Sequence, residues 1–195
     1  MAVRNILQIG DPRLKAKNHF ISDFDNPKLK KVIKDLVETI HTGDMFVGIA
    51  APQIGENYQI IVTELKETKT RTGDQLDKLR VYINPKIIFY SKTKNVAYEG
   101  CGSVAQADLY GPVKRPKEII IEAFSLDGHK FRLRCDGLLS RVIQHEYDHL
   151  SGIEFTEKIV NYKKLMDRNF YIKKIKKSKQ QIQSSIITIK EFSEL

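Results

Sequence analysis

The chain has little of what secreted, membrane and repeat proteins need. Only two of its 195 residues are cysteines, Cys101 and Cys135, which excludes a disulfide framework. No apolar run approaches the ~20 residues of a membrane-spanning helix, and residues 1–5 lack the apolar core of a signal peptide. Internal repeats and low-complexity linkers are absent. We therefore expect one core-forming domain with no membrane partner, in the cytoplasm, or in an organelle if a transit peptide was removed.

The clearest chemical signal is an H-E-x-x-H motif in residues 144–149, which read QHEYDH. In a helix, His145 and His149 lie one turn apart on the same face, so both imidazoles can bind one metal ion. Glu146 can then reach a water at that metal and act as its general base. The flanking residues indicate a buried helix, because they form an apolar stripe: Leu138, Leu139, Val142, Ile143 and Leu150.

Two histidines leave a tetrahedral catalytic site one protein ligand short. Six residues after the second histidine stands Phe155, so the longer zincin pattern with a third histidine is absent. Glu157 and Glu191 are alternatives without a supporting motif. Cys101 is the stronger candidate, because Gly100 and Gly102 on either side let backbone and substrate approach its thiol. The other cysteine, Cys135, lies in an alternating strand pattern that is typical of a core residue.

Three segments, in this order, resemble the signatures of the peptide deformylase family. Residues 48–53 read GIAAPQ, residues 99–103 read EGCGS, and residues 144–149 read QHEYDH. The family patterns are G-x-G-[LI]-A-A-x-Q, E-G-C-x-S and Q-H-E-x-D-H. The spacing and the N-terminal segment 6–14 are also similar, so the resemblance covers roughly residues 4–156. It implies a catalytic domain over residues 1–156, with residues 157–195 as a basic extension of the same domain.

The resemblance implies a residue for each chemical need of amide hydrolysis. The metal ligands would be Cys101, His145 and His149. Glu146 would take a proton from the attacking water and later hand one to the leaving amine. Gln53 and the backbone N–H of Gly102 would stabilise the oxyanion on the formyl carbonyl. Glu99 could pair with Arg115 and so hold the strand that carries Cys101.

The implied activity is removal of the N-formyl group from formylmethionyl nascent peptides, with release of formate. The methionine side chain would enter an apolar pocket beside the metal helix, with Gly48, Leu138 and Val142 at its wall. Fe(II) is the metal that the resemblance implies, although ligand chemistry alone does not separate it from Zn(II).

The chain departs from the family pattern at four positions. Phe46 stands where the first glycine of G-x-G is expected, and Gly102 stands where leucine usually follows the cysteine. Ala105 replaces a frequent proline. Arg141, one turn before His145, replaces a frequent aliphatic residue. These changes bear on substrate preference and rate, because none of them is a ligand or the base.

The periodicity predicts an α+β fold, with mixed or antiparallel β-sheets around the central metal-binding helix, an N-terminal helix and a basic C-terminal helix. Asn26 is the expected N-cap of the first helix, and the central helix is expected to begin near Gly137. The predicted helix and strands are residues 27–41, 58–65, 79–90, 118–125 and 129–135. Asp127-Gly128 is the expected turn of the last hairpin.

The C-terminal segment is strongly basic. Residues 157–195 hold ten Lys and Arg against four acids, which is +6 of the chain's +9. The pattern predicts a basic helix with an apolar edge that includes Phe170 and Ile172, and a final strand over residues 186–189. A charge run usually forms a solvated face; the alternative is contact with RNA, most plausibly the ribosome.

Two other functions stay open at this stage. An H-E-x-x-H endopeptidase would use a ligand other than Cys101, so Cys101→Ala would leave its metal content intact. A non-enzymatic relative would bind RNA through the basic segment, and that binding would survive loss of Glu146.

Overall fold

Two β-sheets and one buried helix between them organise the chain. The computed structural model describes residues 3–43 and 46–195, so Met1 and Ala2 of the N-terminal run interpreted above lie outside the described residues. The helices are α1 (Pro27–Ile40), α2 (Gly137–Leu150), α3 (Arg168–Phe170, continued by a π-helical turn over Tyr171–Ile175) and α4 (Lys179–Ser185). The strands are β1 (Gly48–Ala50), β2 (Ile60–Leu65), β3 (Asp77–Tyr90), β4 (Lys94–Gly100), β5 (Leu109–Pro116), β6 (Glu118–Phe124), β7 (Lys130–Asp136), β8 (Met166–Asp167) and β9 (Lys190–Glu194). Short 3-10 turns lie at Pro12–Lys15, Ala51–Ile54, Gly73–Gln75, Ala105–Ala107, Phe155–Lys158 and Tyr162–Lys164.

The larger sheet has the order β1-β2-β3-β6-β7-β9, and its neighbouring strands pair antiparallel. Both faces of this sheet are buried. Successive residues of β2 point to opposite sides of the sheet, and the side chains on each side lie in an apolar cluster. Ile60 and Val62 pack in the cluster that contains α1. Ile61 packs in the cluster that contains Leu139 and Ile143 of α2. The sheet is therefore covered by one helix on each face.

The smaller sheet has the order β4-β5-β8 and is also antiparallel. Side chains of α2 bind its backbone: Gln144 Nε2 donates to the carbonyl of Pro116 at 3.0 Å, and Arg141 Nη1 to that of Val113 at 3.2 Å. Helix α2 thus packs on the larger sheet with its apolar residues and on the smaller sheet with its polar ones.

The α+β prediction is confirmed, and the predicted helix and strands between residues 27 and 135 agree with the structure within two residues at each end. Asn26 accepts a hydrogen bond from the backbone N–H of Lys28 and begins α1. The central helix begins at Gly137, and Gly128 adopts the positive φ (77°) that the turn after β6 requires. Between the named strands the pairing is antiparallel throughout, so the mixed alternative is not observed.

The predicted final strand over residues 186–189 was wrong. The final strand is β9, Lys190–Glu194, which pairs with β7, and it begins after the predicted residues 186–189. Ile187 of the predicted segment instead inserts into the core cluster of α2. Phe170 and Ile172 are exposed (49% and 38%), whereas Tyr171 between them is buried (7%). In the described ranges, no helix is both long enough and apolar enough to cross a membrane.

Candidate metal centre and active site

The end of β4 and the middle of α2 bring three candidate metal-ligand side chains together. His145 and His149 lie one turn apart on α2, and Cys101 directly follows β4. The Cys101 Sγ atom lies 3.2 Å from His149 Nε2, and the ligand atoms of the three residues all lie within 4.8 Å of one another. All three side chains are buried. One thiolate and two imidazoles are a donor set that suits Zn(II) or Fe(II), so the residues fit a tetrahedral metal site with one open position.

The alternative ligands lie elsewhere. Cys135 is fully buried within β7, in the core cluster of the larger sheet. Glu191 lies in β9, where its side chain is 71% exposed and near Arg134. Glu157 accepts a hydrogen bond from the backbone N–H of Glu154.

Glu99, on β4, orients the first histidine. Its Oε2 atom accepts a hydrogen bond from His145 Nδ1 at 2.9 Å, which leaves Nε2 of that imidazole for the metal centre. Glu99 also accepts two hydrogen bonds from Arg115, at 2.7 and 3.0 Å, and one from Arg141 at 2.5 Å. Burial opposes its ionisation, but the charge of Arg115 and the hydrogen bond from His145 hold the pKa of Glu99 well below its usual range.

Sequence analysis anticipated the Glu99–Arg115 pair but not the roles of Arg141 and His145 in it. Arg141 precedes His145 by one helical turn, so the same spacing that joins the two histidines could have pointed to it. Arg115 also donates to Asp148 at 2.8 Å, and this contact ties β5 to α2. Four charged side chains, those of Glu99, Arg115, Arg141 and Asp148, are thereby linked behind the candidate ligands.

The pKa values of the two histidines shift in opposite directions. Burial disfavours charge on His145, but its hydrogen bonds with Cys101 and Glu99 raise the pKa of the imidazole well above its usual value. For His149, burial and then the neighbouring charge of His145 lower the pKa well below its usual value.

Glu146 is buried and lines the same cleft as Cys101 and His145. Burial raises the pKa of its carboxyl to about 7. Among the described residues, none forms a hydrogen bond with its buried Oε2 atom. Gly48 of β1 packs against it so closely that a Cβ at that position would lie 2.7 Å from Glu146 Oε1 and 2.6 Å from Val142 Cγ1. A glycine at position 48 is thus a condition for the position of Glu146.

Gln53 points an amide donor into the same space. Its Oε1 atom accepts a hydrogen bond from the backbone N–H of Ala50 at 2.8 Å, which fixes the orientation of the amide. The Nε2 atom therefore points to Cys101 Sγ, at 3.5 Å, and to Ser103 Oγ, at 3.2 Å. Sequence analysis singled out Gln53 but not Ser103, which is fully buried and helps to hold that donor.

A cleft opens from the metal centre to the surface. The predicted substrate residues Gly48, Leu138 and Val142 line it, and so does Gly102. Its other wall comes from the C-terminal segment, which sequence analysis did not connect with the site: Tyr171, Lys176, Gln181, Ser184 and Ser185. The cleft is therefore bounded by residues more than 120 positions apart in the chain.

Two of the departures from the family pattern compensate each other. A Cβ on Gly102 would lie 3.0 Å from Phe46 Cε1 and 3.0 Å from Ile6 Cδ1. The phenyl ring thus occupies the space that a leucine at position 102 would fill. Ala105 has a φ of +48°, which proline cannot adopt, and this accounts for the third departure.

A buried Cys/His/His donor set beside a buried glutamate and an amide donor, on this α+β fold, defines a metal-dependent hydrolase. The model of the polypeptide deformylase family matches residues 3–165, and the chain belongs to that family. It is an enzyme that hydrolyses the N-formyl group from the N-terminus of newly synthesised polypeptides and releases formate. The peptide deformylase of Dictyoglomus thermophilum is 39% identical over 158 residues, which cover 81% of this chain and 94% of that protein.

Solved structures agree with this assignment. The peptide deformylase of Synechococcus elongatus, in complex with actinonin, is 31% identical with a TM-score of 0.72, over 83% of each chain. A class I type b peptide deformylase of Acinetobacter baumannii, bound to Met-Ala-Ser, is 26% identical with a TM-score of 0.73, over 81% of this chain and 99% of that one. Most of this chain therefore has the fold of these two enzymes.

Proposed function

We propose that the chain deformylates N-formylmethionyl peptides with Cys101, His145 and His149 as metal ligands and Glu146 as general base. One observation carries this proposal: the buried Glu146 carboxylate has an oxygen without a hydrogen-bond partner among the described residues, and it lines the same cleft as Cys101 and His145. A buried carboxylate without a partner costs free energy. A water molecule at the metal centre that donates a proton to this oxygen would offset that cost.

The chain's own residues account for the proton transfers. A divalent metal bound at the centre supplies the Lewis acidity that makes water nucleophilic near neutral pH and polarises a carbonyl. Glu146 accepts the proton as the water oxygen bonds to the formyl carbon, and its raised pKa suits it to return that proton. Gln53 Nε2 and the backbone N–H of Gly102 stabilise the oxyanion. The C–N bond then breaks, and the proton from Glu146 goes to the leaving amine.

The substrate side chain is held by the apolar part of the cleft. We propose that methionine lies against Gly48, Leu138 and Val142, where an unbranched thioether fills a narrow slot. The Acinetobacter baumannii structure, which holds a peptide that begins with methionine, supports this reading.

Three further proposals concern the setting of the enzyme. The resident metal is Fe(II), so that air would oxidise the metal and Cys101; metal analysis of anaerobically purified protein tests this. Residues 157–195 form one domain with residues 1–156, and their net charge of +6 favours contact with the ribosome in the cytoplasm. Co-sedimentation with ribosomes that weakens steeply as salt is raised tests the last point.

The primary experiment is formate release from formyl-Met-Ala by anaerobically prepared protein, with metal content measured in parallel. We expect turnover by the wild type, and none by Glu146→Ala that has kept its metal. The matched control Glu191→Gln, at an exposed position, retains turnover. A Cys101→Ala protein that keeps its full metal content would overturn the ligand assignment and favour an endopeptidase-like site.

A further inference from the structure

The C-terminal segment beyond the family match packs along the free edge of the smaller sheet. In the order β4-β5-β8, β4 has β5 on one side only. Helix α4 lies against the other side of β4 and also contacts α2. The segment that precedes α4 is held by Tyr171, whose ring stacks on Tyr110 of β5 at a centroid distance of 4.1 Å and an angle of 7°.

Two successive glutamines of α4 bind the backbone of this edge. The side-chain amide of Gln181 accepts from the backbone N–H of Tyr98 at 3.0 Å and donates to the carbonyl of Tyr98 at 3.1 Å. Gln180 Nε2 donates to the carbonyl of Val96 at 3.3 Å. A side-chain amide that pairs with both groups of one residue reproduces the contacts of a peptide unit in an added strand.

The alternation of a β-strand shows which backbone groups are left for a ligand. Residues 96, 98 and 100 point their N–H and C=O groups to the same side of β4. The glutamines take this side at Val96 and Tyr98. Gly100 is the next residue with outward groups, and it lies directly before Cys101 and lines the cleft. A peptide that leaves the metal centre in an extended conformation therefore meets one outward-facing residue before it meets Gln181.

We propose that α4 limits the length of peptide that this enzyme recognises through its backbone, with Gln181 as the specificity-determining residue. A substrate then pairs with the backbone of β4 at Gly100 only. Substrate residues beyond the one that follows methionine form no strand pairing, because the side chain of Gln181 already binds the N–H and C=O groups of Tyr98. This inference rests on the proposed deformylation and adds a determinant of substrate length.

The test compares kcat/KM for formyl-Met-Ala and formyl-Met-Ala-Ala-Ala in the metal-loaded full chain. For the wild type we expect the longer peptide to be better by less than twofold. In Gln181→Ala, the freed N–H and C=O of Tyr98 can pair with the longer peptide, and we expect the ratio of the two constants to rise about tenfold. Gln183→Ala is the matched control, because Gln183 is an exposed glutamine of the same helix, and its ratio should equal that of the wild type.

A second variant separates length selection from loss of packing. Gln181→Glu keeps the size of the side chain and can still accept from the N–H of Tyr98, but it loses the donor to the carbonyl. We expect a ratio between those of the wild type and Gln181→Ala. If the wild type, Gln181→Ala, Gln181→Glu and Gln183→Ala all hydrolyse formyl-Met-Ala with the same ratio of kcat/KM values for the two peptides, the inference about α4 is overturned and the proposed function is not. Absence of formyl-Met-Ala hydrolysis by the wild type would instead overturn the proposed function.

Discussion

At the scale of single residues, Glu146 has a position that lowers the stability of the folded protein and suits its carboxyl to proton transfer. A carboxyl that is buried without a hydrogen-bond partner for one oxygen is suited to proton transfer and unfavourable for folding. Its pKa of about 7 in the folded protein lies above the ordinary 4.5. Between these two pH values the folded protein binds a proton that the unfolded chain has released, so stability falls as pH rises through this window.

We expect Glu146→Gln to abolish turnover and to stabilise the metal-free protein at pH 8. Glutamine has no charge to lose, so the wild type should be less stable by up to about 3 kcal/mol at pH 8, while the two proteins differ little at pH 5. Denaturant unfolding after chelator treatment measures both values. Glu191→Gln should show no such pH-dependent difference, and an equal effect of Glu146→Gln at both pH values would refute the explanation.

A second prediction at this scale concerns Phe46 and Gly102, the two departures from the family pattern that lie next to each other. Gly102→Leu should destabilise the protein by about 1–3 kcal/mol, because the new side chain meets Phe46 and Ile6. Phe46→Gly should also destabilise it, since it leaves a cavity. The double variant should be more stable than the sum of the single effects predicts, by at least about 1 kcal/mol.

Unfolding curves of the four proteins measure this coupling. A matched cycle pairs Gly102→Leu with Phe192→Gly, whose ring contacts Phe131 at the opposite edge of the larger sheet. Those two changes should be additive. Additivity in the cycle of positions 46 and 102 would show that the two side chains do not compensate each other.

At the scale of elements, Glu99 joins β4, β5 and α2. It accepts hydrogen bonds from Arg115 of β5 and from Arg141 and His145 of α2, so one carboxylate fixes the strand of Cys101 relative to the helix of the two histidines. The hydrogen bond of Glu99 with Nδ1 of His145 leaves Nε2 of that imidazole on the side of the candidate metal centre. The geometry of the ligands is thus a property of three elements rather than of α2 alone.

We expect Glu99→Gln to weaken metal binding by about 10–100-fold, because a neutral amide holds the imidazole and the two guanidinium groups less firmly. Competition for Zn(II) against a chromogenic chelator measures the affinity directly. Glu118→Gln is the matched control: Glu118 also pairs with an arginine, Arg134 at 2.7 Å, but on the larger sheet. Equal affinities in Glu99→Gln and wild type would exclude this positioning role.

At the scale of the whole molecule, the C-terminal segment is tied to the catalytic core at several points. β9 adds a strand to the larger sheet, and Ile187 enters the core. Asp136 accepts hydrogen bonds from the backbone N–H groups of Thr188 and Ile189, at 2.7 and 3.0 Å. A Cβ on Gly137 would overlap the carbonyl oxygen of Ile186, so the segment crosses the start of α2 in direct contact.

Sequence analysis was most informative where local spacing carries the chemistry. The interval between His145 and His149 places both imidazoles on one helical face whatever surrounds them, and Asn26 and Gly128 act through their own backbone. For the same reason the helix and strand boundaries were predictable. Residues 186–189 were not, because a short apolar run fits either an edge strand or a core insertion, and only its neighbours decide between these.

What the sequence determined by itself is the family and the candidate residues for its chemistry: a motif for metal binding, a candidate base beside it and a family pattern that spans the catalytic core. Only the tertiary structure decided what surrounds that chemistry. Tyr171 and Gln181 form a wall of the cleft, and Phe46 fills the space above Gly102, because chain segments far apart in sequence meet there. Contacts of this kind follow from how elements pack on one another, and no local periodicity encodes them.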